Sequence, residues 1–154
     1  MVAAGRHGLK DWEIVESSEQ GMLAQVRRSI EHKEWVVFLG WQPHPMNLDY
    51  AITYLSGGDE EFEPNFGGST VRTLSRPGYA AACPNLACFF ENLTFDVAYE
   101  NSGMKMIIGD GMEGPAAALA LLKAHPEKLE AWLDGVTTRD GRPALPAVRA
   151  ALAQ

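Results

Sequence analysis

Residues Trp35-Val36-Val37-Phe38-Leu39 form an unbroken apolar run that stops at Gly40 and is followed by Pro43 and Pro45. Such a run fits a strand buried on both faces of a parallel sheet, where alternation is unnecessary because neither face meets water. It is far shorter than the ~20 apolar residues that a membrane-spanning helix needs. The two prolines flanking His44 bias the backbone towards extended conformations, so residues 41–47 cannot continue as regular structure.

The neighbouring segments extend this pattern. Trp12-Glu13-Ile14-Val15 reads as a short strand, and Ser17-Ser18-Glu19-Gln20 opens a helix in which Ser17 and Gln20 have capping-box spacing. Met22, Leu23, Val26 and Ile30 fall on one face and Arg27, Arg28 and Glu31 on the other, which predicts a helix to about Lys33. Strand, helix, strand is a right-handed βαβ unit with parallel strands. Residues 51–55 and 69–74 read as two further strands, and the acid- and glycine-rich stretch 57–68 as a loop.

From Pro84 the periodicity becomes helical, with Leu86, Phe89, Phe90 and Leu93 forming an apolar stripe. Thr94 is placed to cap a second helix through Ile108, ended by Gly109. Pro115 and Pro126 mark the starts of two more. Leu129, Trp132 and Leu133 face inwards there, Gly135 is a C-cap, and a last helix carries Leu145, Val148 and Leu152. The order βαββ followed by helices predicts an α/β fold class with a helix-rich C-terminal part. A self-contained doubly wound sheet would alternate throughout, so this order makes sense if partner strands lie outside the chain.

The 154 residues suit one domain with a real core. With 46% hydrophobic and 21% charged residues, disorder, collagen-like repeats and coiled coil are poor descriptions. A formal net charge of −7 and a pI near 5.0 repel phosphate backbones, so no nucleic-acid partner is expected, while cationic ligands are mildly favoured. Residues 1–8 lack the apolar core of a signal peptide. If relatives are exported, the expectation is a removed leader or a chain that begins inside a longer gene.

Little points to catalysis or a metal. His7, His32, His44 and His125 show no zinc-hydrolase spacing, and no nucleophile elbow or phosphate loop is present. Neither catalytic residues, metal ligands nor a cofactor are expected. Cys83 and Cys88 are a weak zinc signal. Cys88 is expected as a small core residue on a helix and Cys83 at its start; a mutual disulfide is the alternative, against which the spacing of five directs the two side chains to different faces. Ser56-Gly57-Gly58-Asp59-Glu60-Glu61-Phe62 resembles the diguanylate cyclase signature. An additional Glu sets Phe62 out of register, and Pro64 interrupts the strand that should follow, leaving a cyclase-like enzyme a distant alternative.

Trp41 stands apart. Just beyond the C-terminal end of a buried parallel strand is where α/β sheets place ligands. An indole face there can hold a quaternary ammonium by cation–π attraction, worth about 2 kcal/mol when desolvated. His44 could donate to a carboxylate or hydroxyl. Equally, Trp41 could plug a lobe edge and His44 be a solvated loop residue.

The stretch Gly40-Trp41-Gln42-Pro43-His44-Pro45-Met46-Asn47 resembles the glycine betaine/choline family of ABC-transporter substrate-binding proteins, the choline-type branch above all. The resemblance continues in Glu16-Ser17-Ser18-Glu19-Gln20-Gly21-Met22-Leu23, Tyr54-Leu55-Ser56-Gly57-Gly58-Asp59, Arg76-Pro77-Gly78-Tyr79, Cys83-Pro84-Asn85 and Trp132-Leu133-Asp134-Gly135-Val136-Thr137-Thr138. It implies part of a type II periplasmic-binding-protein fold. Residues 1–42 would be the end of the second lobe, 43–50 an inter-lobe crossing, and 51–154 the C-terminal portion of the first lobe. It further implies a periplasmic, non-enzymatic role: Trp41 and His44 help bind choline or glycine betaine for delivery to ABC permease subunits. About half of the family's length, on the N-terminal side, is then absent. An alternative is an interaction fragment that assembles with a separate N-terminal half or with itself and binds no ligand alone.

Overall fold

In the computed structural model, which describes residues 6–153, the regular structure is helical. After a 3-10 turn at Arg6–Gly8 come α1 (Glu19–His32), α2 (Met46–Asp49), α3 (Asp59–Phe62), α4 (Pro64–Gly67), α5 (Tyr79–Ala82), α6 (Pro84–Asn92), α7 (Val97–Met104), α8 (Gly114–Ala124), α9 (Pro126–Trp132) and α10 (Ala144–Leu152). A π-helical turn, Lys105–Gly109, prolongs α7.

The four segments expected as strands form no ladder. Among the described residues the β-pairing is one isolated antiparallel bridge, Thr137 with Pro143. The α/β expectation is therefore met in its helices and not in its strands. Strand identity depends on a neighbour that accepts and donates backbone hydrogen bonds, and apolar sequence alone cannot supply one. The side chains register this directly: Trp35 is 97% exposed, Val71 96% and Leu74 90%.

Contacts divide the chain into two compact units. One runs to Trp41 and takes in Ile52–Thr70; the other comprises Gln42–Ala51 and everything from Val71 onward. In the first, α1 starts where expected, but its cap is Ser18. The Ser18 backbone is extended and its Oγ accepts the Gly21 N–H at 3.2 Å, while Ser17 Oγ donates to the Ser18 carbonyl. Lys33, in the left-handed region at φ 59°, closes the helix. Val26 and Ser29 are buried, whereas Ile30 of the expected apolar face is about half exposed. The expected loop 57–68 contains α3 and α4. Gly67, at φ 73°, admits no side chain, since a Cβ would lie 2.5 Å from the Phe62 carbonyl oxygen.

The second unit holds a helical core. Tyr99, Leu121 and Trp132 are buried together, with Phe89, Leu93, Met106 and Leu122 packed around them. These residues come from α6, α7, α8, α9 and the segments joining them; of the predicted apolar stripes Phe89, Leu93 and Trp132 reach this core, whereas Leu86 is about half exposed. Trp132 meets Tyr99 edge to face at 5.8 Å, and Phe95 lies 5.1 Å from Trp132. Pro115 and Pro126 occupy first turns, where the missing N–H costs nothing. Asn85 clamps the turn after α9 in the manner of a β-bridge. Its Nδ2 donates to the Thr137 carbonyl and its Oδ1 accepts the Thr137 N–H, both at 2.8 Å.

Thr94 does not cap α7. Its carbonyl accepts the Trp132 Nε1–H at 3.0 Å, and Asp96 is the cap, accepting the Tyr99 N–H at 2.9 Å. Lys128 also donates to Asp96. That hydrogen bond, followed by the one from Tyr99, holds the Asp96 carboxyl below its usual range. A carboxyl whose pKa is lowered on folding stabilises above its unfolded pKa, and the contribution is lost as pH falls through the lowered, folded value. Asp96→Ala is accordingly expected to lower Tm at neutral pH, with the gap to wild type closing on acidification. Thermal melts across the acidic range check this; a gap that does not narrow would contradict it.

Candidate ligand-binding site

Trp41 closes the first unit at the end of the apolar run, with 39% of its surface exposed. Beside it in sequence, Gly40 lies along the Tyr54 ring, whose Oη is 3.5 Å from where a Gly40 Cβ would stand. The Tyr54 phenol is pushed above its usual range by burial, although the ring keeps an exposed face. Residues 40, 41 and 54 therefore bring two aromatic side chains to one stretch of the first unit. Tyr54 was not among the sequence candidates, although it stands in a motif that carries the family resemblance.

His44 belongs to the second unit and is only 5% exposed, so it is not the solvated loop residue that was one of its two expected readings. The segment is organised around it. The His44 N–H donates to Asn101 Oδ1 at 2.7 Å, and its carbonyl accepts the Asn47 N–H at 3.1 Å and Asn47 Nδ2 at 2.9 Å. Its ring Nδ1 accepts the Met46 N–H at 3.1 Å. That bond requires an unprotonated Nδ1, so in the neutral imidazole the proton sits on Nε2. Pro45 and Met46 are buried alongside. One turn beyond Asn101, Lys105 reaches Asp49 at 2.6 Å, and this partnership raises the Lys105 pKa. Asn101 was not anticipated, since only a contact 57 residues apart in sequence reveals it.

The remaining sequence candidates are structural. Cys88 is half-buried on α6, its Sγ 3.5 Å from the Asp134 carbonyl oxygen, and Cys83 precedes that helix; both are free thiols. Asp59, Glu60 and Glu61 form the first turn of α3, with Glu61 3.4 Å from His7. Among the described residues, no three His, Cys, Asp or Glu side chains are grouped to hold a metal ion. Two open depressions of about 400 Å³ each surround the turn between α9 and α10, one lined by Leu133, Val136 and Pro143, the other by Arg142, Pro143 and Pro146. Trp41 and His44 line neither. No described helix is long and apolar enough to cross a membrane.

Comparison with known proteins gives these residues their context. Residues 3–135 match the substrate binding domain of ABC-type glycine betaine transport systems. The chain belongs to that family of transport substrate-binding proteins. It is 26% identical over 131 residues to the glycine betaine/carnitine transport binding protein GbuC of Listeria monocytogenes serotype 1/2a (strain 10403S), covering 85% of this chain and 42% of that protein. Among solved structures it is similar to an ABC-transporter choline binding protein in complex with choline. The TM-score there is 0.67 and the identity 52%, over 99% of this chain and 53% of the other. An unliganded, semi-closed ABC-transporter choline binding protein gives 0.63 and 51%, over 100% and 54%. The chain thus spans about half the length of these relatives, which are substrate-binding proteins and not enzymes.

Proposed function

We propose that this chain is the C-terminal part of a solute-binding component that captures choline or glycine betaine outside the cytoplasm and hands it to ABC permease subunits, without catalysing a reaction. The observation that carries this is 52% identity, across 99% of the chain, to a protein solved with choline bound. In this reading the architecture is part of a type II periplasmic-binding-protein fold. Residues 1–42 end the second lobe, 43–50 cross between lobes, and 51–154 complete the first.

Trp41 supplies an aromatic face for the trimethylammonium group. His44, with Nδ1 engaged by Met46, serves the polar end of the ligand through Nε2. An indole contact of about 2 kcal/mol is well short of the roughly 8 kcal/mol that micromolar capture requires, so further faces must contribute. Isothermal titration with choline and then glycine betaine tests the proposal. Saturable heat is expected, and Trp41→Ala is expected to weaken it by at least about tenfold, the equivalent of ~1.4 kcal/mol. Undiminished affinity in that variant would place the ligand elsewhere.

One observation favours a second reading, in which the chain assembles with a separate polypeptide equivalent to the rest of the family's length, or with itself. Trp35, Val37, Leu39, Val71 and Leu74 are all strand-segment side chains left exposed. Unpaired apolar strand segments are ready templates for pairing with another chain. Light scattering after size exclusion is expected to show dimers or larger species of the isolated chain. A clean monomer would count against the second reading and leave the first in place.

A further inference from the structure

We propose that Tyr54 is a positioning residue for ligand capture: its ring fills the side-chain slot that Gly40 leaves empty, and so fixes the backbone from which Trp41 projects. This rests on the reading of Trp41 as a ligand-binding residue. Gly40, Trp41 and Tyr54 all belong to the first unit. From residue 35 to residue 41 exposure alternates: Trp35, Val37, Leu39 and Trp41 are exposed, whereas Val36, Phe38 and Gly40 are half-buried. Side chains of an extended segment point to opposite faces in turn, so position 40 turns inwards and Trp41 outwards.

Glycine at position 40 is explained by the space it leaves. Its φ lies outside the left-handed region, so the backbone there is open to any residue. The three atoms nearest to where a Cβ would stand all belong to Tyr54: Oη at 3.5 Å, Cε1 at 3.6 Å and Cζ at 3.7 Å. A methyl group would just touch the ring, and a larger side chain would displace it. Burial raises the phenol pKa, as expected where the hydroxyl end packs against the chain. The segment joins no β-ladder among the described residues, so its orientation draws on side-chain packing of this kind. Tyr54 thus acts on Trp41 through the Gly40 backbone, from the face opposite the indole.

Four variants of the full chain separate positioning from direct contact and from general destabilisation. Tyr54→Ala empties the slot, Tyr54→Phe keeps the ring carbons, Gly40→Leu forces a side chain into the occupied slot, and Gly40→Leu with Tyr54→Ala refills it from the other side. Tyr54→Ala and Gly40→Leu are each expected to shift the Trp41 indole N–H resonance and to lower choline affinity, by titration, at least about tenfold. The amide of Val26, buried in α1 of the same unit, is expected to keep its hydrogen-exchange protection in both. Tyr54→Phe is expected to stay within about threefold of wild type, and the double variant to lose no more than Gly40→Leu alone, because the two positions share one slot. Losses that multiply in the double variant would mean that Tyr54 acts independently of Gly40, as a residue touching choline directly would, and would overturn the proposal. An unmoved Trp41 indole or unchanged affinity in Tyr54→Ala would also overturn it, as would loss of Val26 protection, which would show the whole unit and not the segment depending on Tyr54. If the wild-type chain binds no choline, the functional reading fails on its own, and the indole resonance in the four variants still decides whether Tyr54 holds the segment.

Discussion

Backbone hydrogen bonding governs this chain more than any other requirement. A helix satisfies its own N–H and C=O groups, but an apolar strand satisfies them only through neighbours. Among the described residues the packed core is helical: α6 to α9 gather Tyr99, Leu121 and Trp132, and Asn85 adds side-chain hydrogen bonds at Thr137. The apolar runs that would need a sheet stay open, with Trp35 and Val71 almost wholly in solvent. The chain spans about half the length of its relatives.

The two candidate residues fall in different units. Trp41 ends one of these open runs, whereas His44, a few residues on, is buried and held in the helical unit. Within that unit the His44 turn is held to α7 by Asn101. In the proposed function, capture of a quaternary ammonium depends on the aromatic face of Trp41 together with further faces.

Much of the helical architecture was legible locally. Periodicity placed α1, and the first-turn prolines placed α8 and α9, because both signals act within one turn of the chain. Cap assignment was less secure where two candidates stood close together. Ser18 took the role given to Ser17, and Asp96, reinforced by Lys128 from α9, took that of Thr94. The strands failed for a different reason: residues 35–39 have the composition of a buried strand, but pairing is a property of two segments, and one sequence window records only one of them. The candidacy of Trp41 was legible from its motif and its place after the apolar run. The burial of His44 was not, since its partner Asn101 lies 57 residues away, and the approach of Tyr54 to Gly40 becomes visible only in the fold.

The central claim, that Trp41 presents its indole to a quaternary ammonium, is tested most directly by intermolecular nuclear Overhauser effects between carbon-13-labelled protein and unlabelled choline. The account predicts transfer from the choline N-methyl protons to the Trp41 ring protons. Bound choline whose methyl groups contact other side chains and give no transfer to Trp41 would contradict it.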